Sequence, residues 1–211
     1  MVLHELNQGL AAVADTARRS LVRVNSGRGP MRGNGSGTIW QADGLIVTNA
    51  HVVGRGALSV TLPDGRNLPA RVLAADAVLD LAAVMVEASG LPTVTLGDSK
   101  RLQAGEIVFA MGYPYGVDGG STGGVVIGTG ADLPEMPINN REWIALSLHL
   151  RPGHSGGPLL DSAGRLVGIN TMITGPNVGF AIPVHVVKRF LRAAIGAVEV
   201  TPNPHARAAI Y

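Results

Sequence analysis

The chain has 211 residues and no cysteine, with 17 Lys+Arg against 15 Asp+Glu and a hydrophobic fraction of 46%. That length can bury one sizeable core or two small ones, and the missing cysteines exclude a disulfide-built scaffold. A net charge of +2 gives no reason to expect a polyanionic partner. No apolar run is long enough to span a membrane, and the start MVLHELNQGL lacks the basic head and apolar centre of a signal peptide. Neither an integral membrane segment nor an export signal is therefore expected in the chain.

Leu3, Leu6, Leu10 and Val13 recur at helical spacing, so residues 3–19 read as an N-terminal helix leading into a strand over 20–25. The 29 glycines and 13 prolines lie between short apolar runs, which favours an all-β fold of many strands joined by turns. Strands are expected at 35–41, 44–48, 57–62, 69–74 and 81–86, with turns at Asp43-Gly44 and Pro63-Asp64-Gly65. Leu96-Gly97-Asp98-Ser99 reads as a crossover into a second set of strands at 106–111, 124–129, 143–148, 158–161 and 166–172. Pro183 then starts a closing helix over 184–195 that Gly196 can end. The expected division is residues 1–98, residues 99–198 and a C-terminal tail, 199–211.

Several other segments carry tempting readings. Arg18, Arg19, Arg23, Arg28 and Arg32 form a basic cluster, but without interleaved aromatics it reads as a solvated face, and no nucleic-acid partner is expected. The glycine-rich stretch 112–130 has no lysine after a glycine and no third glycine of a dinucleotide fingerprint, so it reads as loop rather than phosphate cradle. His149 and His154 are separated by four residues on loop or strand, which makes no convincing metal pair, and neither metal nor cofactor is expected.

The most informative segment is Gly153-His154-Ser155-Gly156-Gly157-Pro158, a serine hydroxyl on a glycine-rich turn. A serine needs a base within hydrogen-bond reach and a third group that holds the base in the right tautomer. His51, where the apolar strand Leu45-Ile46-Val47 stops, and Asp80, before the apolar run 81–86, can supply them, with Asp76 competing for the acid role. The backbone N–H groups of Gly153 and Ser155 are candidate donors to an oxyanion, in a loop that includes His154. The order histidine, aspartate, serine excludes an α/β-hydrolase elbow, which places serine first, and Asp161 follows Ser155 too closely for the helix and strand that fold requires.

Through GLIVTNAHVV at 44–53, DLAAVMV at 80–86, LRPGHSGGPLLD at 150–161, GINT at 168–171 and GFAIP at 179–183, the chain resembles the bacterial HtrA (Deg) family of trypsin-like serine peptidases. The resemblance runs from about residue 10 to about residue 195. It implies two antiparallel six-stranded β-barrels with an N-terminal and a C-terminal helix, and a triad in the cleft between the barrels. It puts the base on His51, the orienting carboxylate on Asp80 rather than Asp76, the nucleophile on Ser155 and the oxyanion hole on Gly153 and Ser155.

It further implies that Leu150 and Ile173 line a specificity pocket, near His149, with Thr171, Met172 and Ile173 as the strand edge to which a peptide adds. With no acidic residue between Trp143 and Ser155, cleavage after small or medium aliphatic residues is expected rather than after lysine or arginine. The partners implied are unfolded or misfolded protein and peptide substrates and, by family habit, a homo-trimer in the periplasm, cell envelope or outside the cell. The missing signal leaves the cytoplasm open. His154 departs from the family's usual asparagine, and the chain's end at Tyr211 leaves no room for the PDZ domain that typically follows. A catalytically quiet, chaperone-like peptide-binding barrel is the alternative.

Overall fold

The computed structural model describes residues 2–27, 33–54, 56–131, 133, 141–174 and 178–196. An N-terminal helix α1 (Val2–Arg18) precedes six strands: β1 (Leu21–Ser26), β2 (Gly33–Ile39), β3 (Leu45–Thr48), β4 (Leu58–Thr61), β5 (Asn67–Asp76) and β6 (Leu81–Val86). A single helical turn, α2 (Ala50–Val53), follows β3. The second set is β7 (Ile107–Gly112), β8 (Gly120–Gly130), β9 (Trp143–Ser147), β10 (Pro158–Asp161), β11 (Leu166–Thr174) and β12 (Val178–Pro183), closed by α3 (Val184–Ile195).

Each set closes into an antiparallel barrel, β1-β2-β3-β6-β5-β4 and β7-β8-β9-β12-β11-β10, so the strand order is the same in both. Closure leaves no sheet edge unpaired, and alternate side chains fill each interior. In the first barrel these include Val22, Val24, Ile39, Ile46, Val60 and Val84, and in the second Val108, Ala110, Val126, Ile144, Leu146 and Leu159. A third cluster lies between the barrels and joins Leu21, Val47, Leu81 and Ala83 of one to Met111, Trp143, Leu160 and Phe180 of the other. This is why β3 reads as unbroken apolar sequence: both of its faces are buried. Trp143 and Phe180 meet edge to face with centroids 6.0 Å apart, a contact contributing about 0.5–1.5 kcal/mol beyond its buried area.

The helices sit where the patterns place them. Val13, Ala14 and Ala17 of α1 pack on the inter-barrel cluster, as does the apolar face Val186, Val187, Phe190 and Leu191 of α3. His185, in the first turn of α3, bonds Ser99 of the crossover at 2.8 Å and Glu142 before β9 at 2.7 Å. Ser99 is buried, so this serine–histidine–glutamate group latches the helix to the linker and exposes no nucleophile. Strand β12 had no place among the expected strands, and α2 replaces the plain strand end expected at His51. Arg28 and Arg32 of the basic cluster lie outside the described residues, while Arg18 pairs with Asp15 and Arg23 with Asp118.

Candidate active site

His51 stands on α2, directly after β3, with a half-exposed ring. Its Nδ1 lies 3.0 and 2.9 Å from the two carboxylate oxygens of Asp80, and its backbone N–H donates to Oδ1 at 3.1 Å. An ionised carboxylate only accepts, so Nδ1 carries the proton and Nε2 presents a lone pair away from Asp80. Asp80 ends the β5–β6 connection with φ +54, a left-handed conformation uncommon outside glycine, and Asn49 Nδ2 holds its carbonyl at 2.9 Å. Asp76 is the turn cap instead, accepting the N–H groups of Val78 and Leu79 at 2.8 Å each.

The Asp80 carboxylate is largely buried, and that burial works against its charge. Hydrogen bonds from His51 and from the Thr171 hydroxyl, with the charge of the imidazole, outweigh the penalty and hold it below the usual carboxylate range. Thr171 reaches Asp80 because β11 and β12 slip register between Asn170 and Ile173, a bulge that re-aims the side chain. The carbonyl of the same Thr171 accepts the Ser155 hydroxyl at 3.0 Å. Thr171 thus ties the Ser155 side chain to the His51–Asp80 pair, while Ser155 Oγ makes no hydrogen bond to His51 among the described residues.

The turn carrying Ser155 is clamped from both barrels. Ser36 on β2 donates its N–H to the Ser155 carbonyl at 2.8 Å and its hydroxyl to the Gly153 carbonyl at 2.6 Å, and Tyr113 N–H donates to that carbonyl at 3.0 Å. Gly156 has φ +83, and a Cβ there would lie 2.1 Å from the Ser36 carbonyl oxygen, so no side chain fits.

Arg151-Pro152-Gly153-His154 forms a type II turn, with proline second, Gly153 at φ +104 and His154 N–H donating to Arg151 O at 2.9 Å. Its central carbonyl, on Pro152, is held by Tyr115 N–H at 3.2 Å. Tyr115 belongs to the 114–119 loop, which Arg23 of β1 secures through Asp118 at 2.6 Å and Gly116 O at 3.1 Å. Among the described residues the N–H groups of Gly153 and Ser155 have no protein acceptor. Two such donors beside a serine hydroxyl suit an oxyanion. His154 was expected to belong to this hole, but its own N–H closes the turn and supplies no free donor.

The other expected residues lie around this turn. Leu150 is buried in the second barrel's cluster, its Cδ1 3.0 Å from where a Gly179 Cβ would stand, and His149 is exposed. The side chains of Met172 and Ile173 lie outside the described residues, while their backbones belong to β11. Asn49, Ser36 and Tyr113 had no role in the sequence reading, and only the polar spacing within TNAHVV and GNGSG hints at the first two. Nothing among the described residues groups three or more metal-ligating side chains.

Residues 35–169 match the family model of the trypsin-like peptidase domain. The chain belongs to that family, in its HtrA/Deg group. It is 42% identical over 158 residues to the putative serine protease HhoB of Synechocystis sp., covering 72% of this chain and 38% of HhoB. It is also 42% identical over 164 residues to a probable periplasmic serine endoprotease DegP-like of Halomonas elongata, covering 74% and 34%. A solved HtrA-type protease, AlgW with a tripeptide, superposes with a TM-score of 0.80 at 31% identity, over 88% of this chain and 63% of that one. The chain thus spans less than half the length of these curated relatives. No described helix is long and apolar enough to cross a membrane.

Proposed function

We propose that this chain is a serine endopeptidase domain in which Ser155 is the nucleophile, His51 the base and Asp80 the group that orients the base. The observation that carries the reading is the lone pair left on His51 Nε2 once Nδ1 is held by both Asp80 oxygens. Rotation of the Ser155 side chain from the Thr171 carbonyl to Nε2 starts the reaction. As Oγ bonds to the scissile carbonyl carbon, its proton passes to Nε2, and the N–H groups of Gly153 and Ser155 receive the negative oxygen. The imidazolium returns the proton to the amine as the C–N bond breaks, leaving an acyl-enzyme. Water then gives a proton to Nε2 and attacks the ester, and Ser155 regains its hydrogen.

Peptide binds by strand addition along β11, with Leu150 and the Thr171–Ile173 edge beside the reacting bond and His149 at its rim. Residues 1–98 and 99–198 act as its two halves. Unfolded protein in the cell envelope is the substrate we infer, in keeping with the periplasmic name of the Halomonas relative, and a homo-oligomer is its working form. Fluorophosphonate labelling and casein digestion test the activity: native protein labels at Ser155 and digests, and Ser155→Ala does neither. Equal digestion by both proteins sinks the assignment of Ser155. The hydroxyl's rest on Thr171 rather than His51 is what a quiet, peptide-binding barrel has in its favour, and that reading wins if native protein binds unfolded casein without cutting it.

A further inference from the structure

His154 is 2% exposed, beside the nucleophile, and its ring takes part in the oxyanion turn. Nδ1 lies 3.0 Å from the Arg151 N–H nitrogen and 3.2 Å from the Arg151 carbonyl oxygen, the same oxygen that accepts the His154 backbone N–H at 2.9 Å. A backbone amide can only donate, so Nδ1 accepts from it and the neutral ring carries its proton on Nε2. Nε2 is buried and has no hydrogen-bond partner. The imidazole thus closes the turn from the side-chain direction while the backbone closes it in the opposite sense.

We propose that neutral His154 is a positioning residue for the oxyanion turn and that its protonation releases the turn. A proton on Nδ1 sets two N–H groups against each other at 3.0 Å. The acceptor left within reach is Arg151 O, which the His154 N–H already occupies. A carbonyl can accept twice, so the charged ring either turns Nδ1 off the Arg151 N–H to share that oxygen or leaves its buried site, and either way the Arg151 N–H loses its acceptor and the turn loses its side-chain closure. The charged and titratable groups acting on the ring are Arg151, from its own turn, and His149, from the strand end before it, and both oppose added positive charge. Burial pushes the ring below the ordinary histidine range, with these two adding to the effect and the Arg151 backbone bond opposing it.

The inference rests on the peptidase reading, and the test separates the two. Fluorophosphonate labelling rates are measured from neutral to acid pH for native protein, His154→Asn and His154→Ala, with melting temperatures at each pH to keep unfolding apart. At neutral pH His154→Ala slows labelling and lowers kcat by roughly 10- to 100-fold, less than the loss of a whole oxyanion donor, with KM nearly unchanged. His154→Asn restores most of this loss, because its Oδ1 offers an acceptor without a titrating proton. The acid limb steepens to two protons in native protein and stays at one in His154→Asn.

Equal rates in His154→Ala and native protein overturn the proposal, as does an identical acid limb in His154→Asn. Native protein that never labels sinks the peptidase reading instead. The ¹⁵N signals of His154 in folded protein then still decide the proposal: a protonated Nε2 with a bare Nδ1 supports it, and a protonated Nδ1 overturns it.

Discussion

The two barrels share one strand order and divide the chemistry. The first supplies a hydrogen-bonded pair, His51 and Asp80, from α2 after β3 and from the β5–β6 turn; the second supplies Ser155 and its N–H donors from a turn before β10. The first barrel's half is prearranged, since both carboxylate oxygens already face Nδ1. The second's half is poised but undocked, its hydroxyl resting on Thr171. The same architecture thus holds an electrostatic unit in one place and a backbone-shaped one in the other, and what completes the site is contact between them.

Removing the proposed nucleophile breaks this partnership most severely. Ser155→Ala lowers kcat by about 10⁶, and His51→Ala by a similar factor, measured on a peptide ester or casein. Asp80→Asn leaves the fold in place and costs about 10⁴ in kcat, because an amide NH2 donor replaces one accepting oxygen and favours the other imidazole tautomer. Gly156→Ala acts on the joint rather than the chemistry: the φ of +83 and the Ser36 carbonyl oppose a Cβ, so urea unfolding should show a loss of about 2–4 kcal/mol. A Gly156→Ala protein of native stability would show that the joint has slack.

Smaller changes sharpen the contrast. Thr171→Val removes one hydrogen bond to a charged carboxylate and lowers kcat by about 10-fold with KM little changed. Acid stability separates the halves as well. The folded Asp80 carboxylate titrates below its unfolded counterpart, so its contribution is full above the ordinary aspartate range and is lost as pH falls through the lowered folded value. Thr171→Val raises that folded value and moves the loss to higher pH, which acid titration of the two proteins, followed by circular dichroism, will reveal.

Much of this was legible in the chain, for physical reasons that differ by element. Strands such as Leu81–Val86 announce themselves because both faces are buried and no polar residue interrupts them. Val178–Pro183 does not, because a glycine and a proline break up its short apolar run, and its role is to pair with β9 and β11, which no local pattern encodes. At the site, histidine, aspartate and serine stand out by type and order. Asp76 and Asp80 are alike by spacing, the family resemblance favours Asp80, and the left-handed turn at Asp80 and the cap at Asp76 supply the physical difference. The bonds made by Ser36 and Thr171 escape a sequence reading, although Thr171 is expected as part of the strand edge, since one acts across the barrel joint and the other through a register slip in a strand pair.

The bond from Ser36 N–H to the Ser155 carbonyl has one more consequence. The stretch through β6 carries an imidazole with nothing to activate, and the clamp on the serine turn closes only when that turn meets strand β2. On the proposed mechanism, cleavage competence is therefore a late property of folding, acquired only when the second barrel has docked on the first.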